Sequence, residues 1–99
     1  MAPDDISDVS QAVVIRLLRY VKEHPQAKDT CKGIVKWWFG ENDDTRNSEE
    51  VQQALDWLVA CGWFTARTLT ETDILYGAQK DQLKNMIRFL KELEEGNRR

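Results

Sequence analysis

Across Gly62 the chain changes its hydrophobic period. Before it, Val51, Ala54, Leu55 and Leu58 recur at three- and four-residue steps, the spacing of one face of an α-helix. After it, Trp63-Phe-Thr-Ala-Arg-Thr-Leu is aromatic and β-branched, and Ile74-Leu-Tyr repeats that character beyond the polar Thr70-Glu-Thr-Asp. The spacing predicts a helix over 48–61, opened by Ser48 with Glu49 and Glu50. Gly62 then closes it in a left-handed cap, and a two-stranded hairpin follows over 63–77.

The flanking segments are helical. Ile6, Val9, Val13, Val14, Leu17, Leu18 and Val21 follow the same stepping and predict a helix over 7–23. Asp4, Asp5, Ser7 and Asp8 supply caps and negative charge at its start, and Pro25 disfavours helical geometry at His24. Cys31, Ile34, Val35 and Trp38 predict a second helix over 30–39, capped by Asp29 or Thr30 and ended by Gly40. Glu41 to Asn47 is polar and forms a loop. Leu83, Met86, Leu90 and Leu93 predict a last helix over 79–95 with the spacing of a short heptad seam, ended by Gly96 before a tail of Asn97, Arg98 and Arg99.

Three helices, a glycine, a hairpin and a closing helix resemble the winged helix-turn-helix family. The resemblance rests on Ala54-Leu-Asp-Trp-Leu-Val-Ala-Cys-Gly-Trp-Phe, where Ala-Leu-x-x-Leu on a third helix ends at glycine and turns into an apolar strand. Gly62 and Phe64 fall on the family's positions, Trp63 to Tyr76 matches the wing, and 79–95 is similar to the added helix that many small members use to dimerise. The resemblance implies one domain over 1–99, mainly α with a small β-hairpin. It also implies a third helix lying in the DNA major groove, with basic residues on its exposed face and on the wing.

Charge argues against that docking. No lysine or arginine occurs between Ser48 and Gly62, and Glu41 to Asp56 holds six acids against Arg46 alone, in a chain of net charge -3. With the apolar stripe inward, Glu49, Gln52, Gln53, Asp56 and Ala60 face outward. A DNA-binding regulator would have to grip phosphate with Lys28, Lys32, Lys36, Arg46 and Arg67, and touch bases with Gln52 and Gln53. The acidic third helix disfavours this alternative. The first expectation is a non-catalytic regulatory binding module that meets a protein partner through Trp37, Glu49, Gln53, Asp56 and Trp57, tryptophan being a frequent interface anchor. Trp38 continues a buried stripe. Trp63 and Phe64 alternate on a strand, which leaves the burial of Trp63 open.

The closing helix has two uses for its apolar residues. Leu83, Met86, Ile87, Leu90 and Leu93 either cover the first helix or pair with a twin, and the surplus from Ile87 and Phe89 favours a homodimer.

Other chemistry is thinly represented. Cys31 and Cys61 lack partner ligands at zinc spacing and read as small hydrophobes, and His24, the only histidine, suits a helix carboxyl terminus. Glu41, Asp43 and Asp44 lack the pattern of a calcium loop. No phosphate loop or nucleophile motif is present, so neither enzyme activity nor a cofactor or metal is expected. Purely apolar runs, such as Ala12 to Ile15 or Trp57 to Cys61, reach no more than five residues, against roughly 20 for a membrane span. The acidic start Met-Ala-Pro-Asp-Asp is unlike a signal peptide, which leads to the expectation of a cytoplasmic protein.

Overall fold

The computed structural model describes residues 9–39 and 47–96. The first helix, α1, spans Gln11–Glu23 and starts where the Ser10 hydroxyl accepts from the Val13 amide at 3.3 Å. The expected start at Ser7 is therefore corrected to Gln11, because Ser10 supplies the cap; Asp4, Asp5, Ser7 and Asp8 lie outside the described residues. At the other end the His24 amide donates to Tyr20 O at 2.8 Å, and His24 leaves helical geometry before Pro25.

A strand follows that the sequence pattern does not show. Lys28–Thr30 forms β1, three polar residues paired antiparallel with the second hairpin strand. The sheet therefore has three strands where two were expected. With β2 as Phe64–Thr68 and β3 as Ile74–Ala78, its order is β1-β3-β2.

The second helix begins as expected but does not continue as α. Thr30 Oγ1 accepts from the Gly33 amide at 3.2 Å, capping a single α turn, α2, at Cys31–Gly33. Ile34–Trp38 is a π-helical turn, so the uniform helix over 30–39 is corrected. Its wider turn brings Ile34, Trp38 and the following Phe39 inward together and leaves Trp37 67% exposed. Trp38 stacks on Tyr20 of α1 with ring centroids 4.5 Å apart. A Cβ at Gly33 would collide with the Asp29 carboxylate, so the glycine leaves room for that side chain to lie against α2.

The third helix, α3, spans Ser48–Ala60, and Asn47 caps it by accepting from the Glu49 and Glu50 amides. It ends in a Schellman arrangement: Trp63 N donates to Leu58 O, Gly62 N donates to Val59 O, and Gly62 takes φ 80°. Trp63 and Phe64 are both buried, because Trp63 precedes the strand and is not bound by its alternation. A 3-10 turn at Lys80–Gln82 then leads into α4, Leu83–Gly96.

The core sits between α1, α3, α4 and the inner face of the sheet. Val14, Leu17 and Leu18 of α1 meet Leu55 and Leu58 of α3, Phe64 and Tyr76 of the sheet, and Met86 and Leu90 of α4. Burial of this apolar surface drives the assembly. On the rim, Arg19 Nε and Nη2 both donate to Glu94 Oε2, joining α1 to the end of α4. The result is mainly helical with a small antiparallel sheet. No helix among the described residues is long and apolar enough to cross a membrane.

Candidate functional site

The start of α2, Gln52 of α3 and the hairpin enclose a cleft of about 290 Å³, lined by Tyr76, Gln52 and Ile74 together with Cys31, Lys32 and Asp73. Strand pairing explains which hairpin residues reach it. Tyr76 stands opposite Ala66 on β2 and Asp29 on β1, and directly opposed residues share a face, so these three point toward α3. The Gln52 amide nitrogen spans the cleft floor, donating to Asp56 Oδ1 at 3.0 Å and to Tyr76 Oη at 2.8 Å.

The expected partner-binding residues divide. Glu49, Gln53 and Asp56 are exposed on one face of α3. Trp37 is exposed too, with Lys36 Nζ 4.9 Å from its ring centroid. Trp57 is half-buried and turned to α4, where its ring lies 6.0 Å from Phe89; Trp63 meets the same Phe89 edge-on at 5.4 Å. Trp57 thus belongs to an aromatic cluster that seats α4.

The basic residues of the DNA-binding alternative do not gather on one rim. Lys32 lines the cleft beside α3. Lys28 and Arg67 lie on the opposite face of the sheet: Lys28 is opposed to Gly77 and Gly77 to Thr65, while Thr30 is opposed to Leu75 and Leu75 to Arg67. Arg46 and the acidic Glu41, Asp43 and Asp44 lie outside the described residues. Gln53 is free to approach a ligand, whereas Gln52 is held by two hydrogen bonds.

The heptad residues of α4 are in large part spent inside the domain. Met86 and Leu90 are 1% and 2% exposed and pack in the core, while Leu83 and Leu93 flank it and Ile87 is half-buried. The reading of Met86 and Leu90 as a seam for a twin helix is corrected accordingly: α1 and the sheet already cover them.

The Asp56 carboxylate of α3 brings negative charge to bear on Cys31 at the edge of the cleft. Burial pushes the Cys31 thiol above its ordinary value, and the Asp56 carboxylate pushes it further. The Cys31 thiol also donates weakly to Ser48 O at 4.0 Å, tying α2 to the start of α3. Both cysteines are free and half-buried, and burial raises the Cys61 thiol as well.

Asp73, Ile74 and Tyr76 are cleft residues that sequence reasoning passed over. Strand alternation carries a signal for Ile74 and Tyr76, but only the register shows which parity faces α3. No family model, curated protein or solved structure matches the chain.

Proposed function

We propose that this chain is a non-catalytic binding module of winged-helix type, which receives a basic segment of a protein partner on α3 and in the cleft beside it. The order α1-β1-α2-α3-β2-β3-α4, with the sheet order β1-β3-β2, supports the winged-helix reading. The observation that carries the function is the exposed face of α3. Glu49, Gln53 and Asp56 stand there together, Glu50 beside them is also exposed, and no cation occurs anywhere on the helix. Such a surface repels a phosphate backbone and attracts lysine and arginine. The cleft adds apolar contact from Ile74 and a carboxylate from Asp73, with Lys32 on its far rim.

The alternative of a DNA-binding regulator reading bases with α3 has less support. Its Gln52 is engaged with Tyr76, and two of its phosphate contacts, Lys28 and Arg67, lie across the sheet from α3.

Amide chemical-shift mapping tests the proposal, with a synthetic peptide alternating arginine and leucine as the probe. Shifts are expected at residues 49, 53, 56 and 73–74, with loss of binding in the Glu49→Lys, Asp56→Lys double variant. Absence of shifts on α3, or binding that survives the double charge reversal, would sink it.

A further inference from the structure

The two edges of the sheet are unlike. β1 ends it on one side with Lys28–Thr30, three residues that begin with a lysine, and an edge so short and charged resists pairing. β2 ends it on the other side with Phe64–Thr68, and no described strand pairs with its second side. Residues 65–68 are all exposed, so no other described element covers them. This edge has no proline and no lysine, and it runs without a bulge from Phe64 opposite Ala78 to Thr68 opposite Ile74. An uninterrupted open edge is a template for another strand.

The phase of the hydrogen bonds shows which groups the edge offers. Leu69 N donates to Asp73 O at one end of the β2–β3 ladder, and Gln79 N donates to Trp63 O at the other. Backbone groups alternate sides along an antiparallel strand, so Thr65 and Arg67 also turn theirs to β3. Phe64, Ala66 and Thr68 turn theirs outward, and no turn, cap or side-chain hydrogen bond among the described residues takes them up. Side chains alternate between faces in the same rhythm: Ala66 lies with Tyr76 on the α3 face, while Thr65 and Arg67 share the outer face.

We propose that two copies of this chain join by these edges, β2 antiparallel to β2 about a twofold axis at Ala66, which merges two three-stranded sheets into one. The edge is self-complementary in this register. Ala66 opposes the second copy's Ala66 and Phe64 opposes its Thr68, each pair exchanging N–H and C=O bonds, so every outward backbone group finds a partner. On the outer face Arg67 meets the second copy's Thr65. The Thr65 hydroxyl donates to Gly77 O at 3.3 Å within its own chain, which leaves its lone pairs to accept from the guanidinium. Centring on Arg67 instead would set two guanidinium groups directly opposite each other, where like charges repel. Centring on Thr65 would oppose Thr68 to Gly62, whose left-handed backbone is not a strand. The exposed Leu69 comes level with the second copy's Trp63 in the Ala66 register, next to the apolar start of its β2. Because β1 is a poor template, assembly stops at two. The pairing does not depend on the basic segment proposed for α3.

Sedimentation velocity of the full chain over a concentration series tests this, since a five-residue strand makes a small and reversible contact. The mass is expected to rise from one copy to two and to stop there. Ala66→Pro removes only an outward N–H and spares the ladder to β3, so it should weaken association at least about ten-fold with circular dichroism unchanged. Ala66→Lys and Ala66→Asp should each weaken it as well, by opposing like charges across the axis, and mixing the two variant chains should restore a dimer. A single copy at every concentration overturns the proposal, and so does a mass that grows past two copies. A dimer unchanged by Ala66→Pro places the contact on another surface and overturns it. Two charge variants that each stay dimeric alone, or that fail to associate when mixed, overturn the axis at Ala66 and the proposal with it.

Discussion

The Gln52 amide nitrogen donates to the Tyr76 hydroxyl at 2.8 Å, and this bond fastens the middle of α3 to the central strand of the sheet. Tyr76 is 3% exposed, so its hydroxyl has little access to water as a substitute partner. Tyr76→Phe should therefore lower unfolding free energy by about 1 kcal/mol in urea titration. Gln52→Ala should cost a similar amount, and the double variant less than the sum, with a coupling of about 0.5 kcal/mol or more. Full additivity would mean that helix and strand are held by packing alone.

Gly62 offers a cleaner separation of backbone from side-chain effects. Its φ is 80°, and a Cβ added there meets nothing within 4 Å. Gly62→Ala should then cost about 1 to 2 kcal/mol from left-handed geometry alone. Gly62→Asn should cost less, since asparagine tolerates that region. Equal losses in the two variants, read from denaturant midpoints, would point to a different cause.

These two positions also show what the sequence could and could not reveal. The helical stripe of α3 and the stop at Gly62 are local signals, written in residue spacing and in one residue's conformational freedom. β1 is not: Lys28, Asp29 and Thr30 are polar and too few to alternate, and they become a strand only because β3 has a second edge to pair. The π turn escapes for a related reason, since Ile34 and Trp38 satisfy α spacing equally well and tertiary packing on Tyr20 favours the wider turn. The acidic face of α3 is legible from charge once the apolar stripe is turned inward. The division of Lys32 from Lys28 and Arg67 depends on strand register, a long-range property.

Leu90 distinguishes a core position from an oligomer seam. It is 2% exposed within one chain, so Leu90→Ala should cost about 2 to 5 kcal/mol. Leu90→Glu should prevent folding, because an unpaired charge would enter the interior. Ile87→Glu, at a half-buried neighbour, should fold. Circular dichroism and light scattering on the three variants separate the cases: a folded Leu90→Glu monomer would return Leu90 to a subunit interface.

Cys31 links the charge on α3 to a measurable pH dependence. Burial first and the Asp56 carboxylate second favour its neutral thiol, so its folded-state pKa is above that in the unfolded chain. As pH rises past the ordinary thiol range, about 8.5, the unfolded chain releases this proton while the folded chain retains it. The unfolded state then binds fewer protons, and stability falls with rising pH through that window, whereas below it the contribution is complete. Cys61 acts in the same direction through burial, so Cys31→Ala should flatten the alkaline decline only in part. Asp56→Asn should bring the Cys31 thiol back toward its ordinary range and speed its alkylation by iodoacetamide at mildly alkaline pH, with Cys61 unchanged as an internal reference. Identical Cys31 rates in the two proteins would show that burial alone sets this thiol and that the negative field of α3 does not reach into the cleft.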